Sequence, residues 1–237
     1  MIDREGTIPL YQQLIDVLRS ALLCGEIQPG ERIPTESELS TQYKVSRITV
    51  RKAIEVLAEE GLLVKKQGRG TFAEKPKFER KIIDPVSFSA SCTYKGMRPG
   101  SRMLQRFVRS ADSVEKKILG LGQEGEILYI QRLRFADNEP LLVENNYFPL
   151  PEYEFLLDKD IDSHSLYETI TSESGKKISS AHKTIEITLA AKNEATLLNV
   201  KIGSPLFYLR GTVFDELNQP VHLTAQFIRG DRFKLVM

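Results

Sequence analysis

Four groups of residues in this chain have the type and spacing to do chemistry. Arg47 and Arg51 stand four apart, so on a helix both guanidinium groups project from one edge. Each fork could grip two acceptors of one base there, O6 and N7 of guanine above all, worth about 1–3 kcal/mol of discrimination per good pair. Ser46 and Thr49, beside them, suit phosphate oxygens with a helix dipole behind them. For an arbitrary helix, a solvated charged face is the plainer alternative. Gly68-Arg69-Gly70 is the second group, a tight turn presenting one positive side chain, thin enough for a groove where negative potential is concentrated. Alone it would be an ordinary hairpin tip.

The third group is Arg132 and Arg134, two apart on a strand and therefore on one face. Leu128 and Ile130 share that face, which should be buried, and a buried guanidinium needs an anionic partner. That partner is either a carboxylate of the chain (Glu144, Glu186 or Asp215) or a bound anion. Ser165-Leu166-Tyr167-Glu168 has the pattern of a capping box, giving a helix N-terminus whose spare amides could seat such an anion. The fourth group, His164, His182 and His222, has no partner readable from spacing. No nucleophile elbow, metal-ligand spacing or Ser-His-Asp arrangement can be argued, so an enzyme, a cofactor and a bound metal are not expected. Cys24 and Cys92 read as two free thiols of a reducing compartment.

The elements that must hold these groups can be read in order. Pro9 opens a helix whose stripe is Leu10, Leu14, Val17, Leu18, Ala21 and Leu22, stopped at Gly25. Thr35-Glu36-Ser37-Glu38 is a capping box for a short helix carrying Leu39 and Tyr43. After the turn Lys44-Val45, Ser46 caps a longer helix with Val50, Ala53, Ile54 and Leu57 inward, ended by Gly61. This is a helix-turn-helix pattern, with both arginines on its second helix. Leu62 to Lys66 and Thr71 to Ala73 flank the glycine turn as two strands, which makes it a wing.

Glu74 to Lys81 is charged, contains Pro76 and lacks apolar periodicity, and reads as the linker. Beyond it, strands are expected at 101–109, 127–136, 141–148, 178–189, 206–215 and 221–228, with helices at 113–121, 165–174 and 192–199. The turns Asp137-Asn138-Glu139-Pro140 and Leu217-Asn218-Gln219-Pro220 resemble each other, suggesting two similar hairpins and an old duplication. The expected fold is α+β: a winged helix-turn-helix over 1–74, a linker over 75–84, and a mostly antiparallel sheet with packed helices over 85–237.

Composition agrees with a globular protein, 41% hydrophobic and 27% charged over 237 residues. Charged residues through the first twenty positions exclude a signal peptide or membrane span there, so the expected location is cytoplasmic. The net charge of +1 hides an asymmetry. Residues 1–43 carry three basic side chains against seven acidic, a balance of −4. Residues 44–80 carry ten against five, a balance of +5, as a phosphate-binding face requires.

Pro9-Leu10-Tyr11, the run Gly30 to Leu39, the run Val45 to Ala53 and Gly68-Arg69-Gly70-Thr71-Phe72 resemble the GntR family of regulators over about residues 8 to 73. The resemblance implies DNA contacts at Thr35, Ser46, Arg47, Thr49 and Arg51 and, on the wing, at Gln67, Gly68 and Arg69. Some members carry a DNA-contacting arginine where this chain has Ser37. It also implies a homodimer on a palindromic operator in double-stranded DNA.

Pro85 to Ser89, Gly96 to Ser101, Tyr129 to Arg134, Pro140 to Glu144, Ser165-Leu166-Tyr167 and Gly203 to Leu206 are similar to the UTRA effector domain, pointing to the HutC subfamily. That domain resembles chorismate lyase in fold and senses small metabolites, in many members phosphorylated sugars. By this resemblance, amides of a loop over Ser87, Phe88, Ser89, Ala90 and Ser91, with Arg132, Arg134, Ser165 and Tyr167, hold an anionic group. Glu144 then accepts hydrogen bonds from ligand hydroxyls. Sugar-phosphate sensors often carry a glutamate where this chain has His222, which is either a ligand contact or a structural histidine, and a tyrosine where it has Ile228. The function implied is a repressor controlled by a small anionic metabolite. The rival readings are an effector-independent DNA binder and a lyase-like enzyme.

Overall fold

The computed structural model describes residues 2–4, 6–74, 77–81 and 86–236, with Arg80 and Lys81 described for their backbone alone. The chain divides into two compact units, Met1–Pro76 and Lys77–Met237.

In the first unit α1 spans Leu10–Leu23 behind Pro9, and Gly25 follows with φ +82° where the helix stops. Helix α2 is Glu36–Tyr43. Its capping box is complete: the Glu38 amide donates to Thr35 Oγ1 at 3.3 Å, and the Thr35 amide donates to Glu38 Oε2 at 2.7 Å. Lys44 takes the left-handed conformation that turns the chain, and Ser46 caps α3, Arg47–Glu59, by accepting from the Thr49 amide at 3.1 Å. Buried Leu14, Leu18, Leu39, Val50, Ile54 and Leu57 lock the three helices together. Strands β1 (Leu63–Lys66) and β2 (Gly70–Ala73) form the wing, with Gly68 at its tip at φ +70°. Thr35→Ala removes one reciprocal cap, so the urea midpoint of unfolding should fall by the equivalent of about 1 kcal/mol with an unchanged slope.

The second unit is built twice over. Helix α4 (Phe88–Tyr94), β4 (Pro99–Ser110), α5 (Ser113–Leu119), β5 (Glu126–Ala136) and β6 (Glu139–Pro149) make the first half. Helix α6 (Leu166–Ser174), β7 (Ile178–Leu189), α7 (Lys192–Leu198), β8 (Pro205–Asp215) and β9 (Pro220–Arg229) repeat the same order, after a short 3-10 turn at Glu154–Leu157. The strands form one antiparallel sheet, β4-β5-β6-β9-β8-β7, so the halves meet at β6 and β9. The two matching hairpins expected from sequence are therefore β5–β6 and β8–β9. Counting from Pro140 and Pro220, Glu144 answers to Thr224. Counting back from Phe135 and Phe214, Arg134 and Arg132 answer to Val213 and Gly211. A Cβ on Gly211 would lie 2.3 Å from the His182 carbonyl oxygen, so no side chain fits there.

Two expectations are corrected. The stretch read as a linker contains a strand, β3 (Phe78–Lys81), paired in parallel with β10 (Phe233–Val236). It was hidden because it is short and alternates with charged residues, yet Phe78 is buried against the rings of Phe88 and Phe233. Lys75, Pro76 and residues 82–84 of the expected linker, and Pro85 of the quoted motif, lie outside the described residues. The Ser87–Ser91 loop is also absent, since Ser87 caps α4 by accepting from the Ala90 amide at 3.1 Å. Phe88 and Cys92, both buried and four apart, hold that polar-looking segment to the core as a helix.

Candidate functional sites

In the first unit, Arg47 and Arg51 leave α3 on the exposed side, and each is held by α2. Arg47 Nη2 donates to Ser37 Oγ at 2.9 Å. Arg51 donates to the Glu36 carboxylate through Nη2 at 2.9 Å and Nε at 3.2 Å. Ser46 and Thr49 share a hydroxyl hydrogen bond of 2.8 Å at the helix start. Thr35 is engaged in its capping box. Gln67, Gly68 and Arg69 lie together at the wing turn, where the Arg69 amide donates to the Lys66 carbonyl at 2.9 Å. Sequence reasoning overlooked Glu36, because its pairing crosses two helices over fifteen residues and leaves no periodic trace.

In the second unit, one face of the sheet carries the paired arginines under α4 and α6. Arg132 and Arg134 are 1% and 4% exposed, and both donate to Glu144 Oε1, Arg134 from Nη1 at 3.0 Å. Of the internal carboxylates weighed, Glu144 is the partner; Glu186 pairs with Arg210, and Asp215 accepts amides of its turn. Burial alone would raise the Glu144 carboxyl, but the two guanidinium groups override it and hold it down at about 2. Arg132 also donates to the Ile161 carbonyl at 2.6 Å. Arg134 donates to Ser89 Oγ at 2.8 Å and stacks over the Phe88 ring, 5.0 Å from its centroid.

A tight inner cleft of about 20 Å³ joins Ser87, Phe88, Ser89, Arg132, Arg134, Glu144, Ser165 and Tyr167 with Asn146, Leu166 and Gln226, none of these last three foreseen. That is room for about one water. Asn146 could have been found from its place two residues after Glu144 on the same strand face. An outer cleft of about 460 Å³ shares Ser89, Arg134 and Ser165 and adds Ala90, Asp162, His164 and Glu168.

Ser165 sits at the start of α6, but its hydroxyl makes no capping bond, so the second capping box does not form; the hydroxyl instead approaches Ser87 Oγ at 3.5 Å. Ser91 turns back to donate to the Ser87 carbonyl at 3.0 Å and lines neither cleft. His222 lines neither, packing at 1% exposure against the rings of Phe148 and Tyr167. Its Nδ1 lies 3.0 Å from the Leu223 carbonyl, which leaves Nε2 buried with no hydrogen-bond partner. Burial lowers the His222 ring to about 4, so it is neutral at pH 7. Among the described residues no group of three or more His, Cys, Asp or Glu could hold a metal ion, and no helix is long and apolar enough to cross a membrane.

A winged helix-turn-helix with its arginines outward, followed by an antiparallel sheet holding buried arginines, defines a two-part regulator class. The chain belongs to the GntR family of bacterial regulatory proteins and is a DNA-binding transcriptional repressor of the HutC type. Residues 10–73 match the family "Bacterial regulatory proteins, gntR family", and residues 95–234 match the UTRA domain. It is 33% identical over 237 residues to the HTH-type transcriptional repressor NagR of Bacillus subtilis, covering 99% of this chain and 96% of the relative. It is 32% identical over 236 residues to the probable fructoselysine utilization operon transcriptional repressor of Escherichia coli, with the same coverage. The crystal structure of PhnF from Mycobacterium smegmatis is similar at a TM-score of 0.71 and 26% identity, over 94% of this chain and 98% of that one.

Proposed function

We propose that this chain, as a cytoplasmic homodimer, represses transcription from a palindromic operator and is released by a small anionic metabolite. The operator is read by Arg47 and Arg51, with Thr35, Ser46 and Thr49 on phosphates and Gln67, Gly68 and Arg69 of the wing in the adjacent groove. The metabolite, a phosphorylated sugar, lies against Arg134, Arg132, Ser89 and the α6 N-terminus, with Glu144 turned to its hydroxyls. The observation that carries this reading is the pair of guanidinium groups beneath α4 and α6, opening outward through Arg134 to a cleft of sugar size. The relatives support it, NagR and the fructoselysine repressor being named as repressors. A coupling of about 1–3 kcal/mol between the sites would change operator occupancy five-fold or more.

The test is operator release measured across a panel of phosphorylated sugars and organic acids. Release by one of them is expected; operator affinity indifferent to every compound would favour an effector-independent binder. Turnover of any compound would instead favour an enzyme. On the DNA side, Arg51→Ala should cost about 1–3 kcal/mol on the operator and much less on random duplex. Equal losses on both would reduce Arg51 to a phosphate contact.

A further inference from the structure

The strongest signal outside the residues already assigned is the carboxylate of Glu36. It stands in the first turn of α2, facing a recognition helix whose task is to meet a polyanion. A carboxylate so placed repels phosphates, and its charge adds nothing to a DNA-binding surface. Yet it makes a close ionic contact to that helix: Arg51 Nη2 at 2.9 Å and Nε at 3.2 Å, on a guanidinium otherwise largely open to solvent. The next residue, Ser37, holds Arg47 in the same way at 2.9 Å. Successive positions of α2 thus fix successive arginines of α3.

Resting on the reading of Arg51 as a base contact, we propose that Glu36 is a specificity-determining positioning residue. It takes the Nε–Nη2 edge of Arg51 and leaves Nη1 and the outer lone hydrogen of Nη2 facing away from α2. An arginine tethered this way keeps one direction, and a base edge presented along that direction can be gripped without the side chain first losing its freedom. To swing to the nearest phosphate it must first give up that pair. On random duplex Arg51 stays with Glu36 and adds little; on the operator it meets its acceptors already aimed. The carboxylate raises specificity by withholding the arginine from the backbone.

The test compares Glu36→Gln with wild type on two duplexes: the inverted repeat that wild-type protein selects from a randomised library, and a scrambled version of it. Glutamine keeps the side-chain length and the helix start, and an exposed ion pair adds little to folding, so the thermal midpoint should not move. The ratio of operator to scrambled affinity is expected to fall about ten-fold. Scrambled binding should tighten, with a salt dependence steeper by about one unit as Arg51 gains a phosphate. An unchanged ratio, whether both affinities rise together or neither moves, overturns the proposal. In an Arg51→Ala background, Glu36→Gln should leave the ratio where Arg51→Ala alone set it. A further fall there would mean that the carboxylate touches DNA itself, and would also overturn the positioning role. If wild-type protein selects no repeat at all, the reading of the first unit fails, and that result is distinct from either outcome for Glu36.

Discussion

Replacing Glu144 with alanine is expected to lower the unfolding free energy of the second unit by about 3–5 kcal/mol, the largest effect of any single change considered. The reason is what remains. Arg132 and Arg134 are buried on neighbouring positions of one strand face, and both direct a donor to the same oxygen of Glu144. Without it, two like charges face each other in a medium that screens them poorly, and Arg132 keeps only the Ile161 carbonyl among its charge-facing partners given above. Glu144→Gln retains the shape but not the charge, and should lose most of the same stability. The ion pairing also has a pH signature. The carboxyl sits at about 2 in the folded protein against an ordinary value of 4.5, so its contribution is complete above 4.5 and drains away as the pH falls toward 2. Urea unfolding of wild type and Glu144→Ala at neutral pH checks the magnitude. A loss under about 1 kcal/mol would mean that the arginines find other partners or water, and that the cleft is looser than its geometry implies.

His222 should govern stability in a higher pH window. Its ring is neutral in the folded protein down to about 4, whereas in the unfolded chain it takes a proton near 6.5. Between those values the unfolded state binds more protons than the folded one, so stability rises with pH across the interval and is lost on acidification through it. The separation corresponds to about 3 kcal/mol once the pH is below 4. His222→Asn keeps a donor for the Leu223 carbonyl and removes the titrating ring. Its stability should be nearly flat from pH 6.5 to 4.5, while wild type declines. Parallel curves for the two proteins would show that the ring is protonated in place, with water or an anion at its Nε2.

How far the sequence could be read depended on whether the information was local. The capping box at Thr35 and Glu38, the cap at Ser46 and the glycines of the wing are complete within a few residues, and each formed as written. The six long strands were legible as apolar and β-branched runs bounded by turn residues, even where, as in β6, burial is nearly continuous and alternation is lost. What was missed is decided at a distance. Phe78–Lys81 is a strand only because residues 233–236 lie beside it. Ser87 to Ser91 is polar enough to read as a loop and becomes helical through the burial of Phe88 and Cys92. The Ser165 cap failed although its sequence pattern was correct, since its hydroxyl turns toward Ser87 on another helix. For the candidate site, the like-faced arginines were legible from their spacing, but the choice of Glu144 over Glu186 or Asp215 required the strand order.

The repeat of the second unit bears on which way round a ligand can lie. A cleft straddling the junction of two equal halves would, by symmetry, accept an elongated molecule in either sense, each at half the occupancy. Here the halves have diverged: the positions answering to Arg132, Arg134 and Glu144 are Gly211, Val213 and Thr224, and none of these three lines either cleft. Buried charge is thus confined to one half of the repeat, and the His182 carbonyl, 2.3 Å from where a Cβ at Gly211 would lie, leaves no room for a second arginine at the position answering to Arg132.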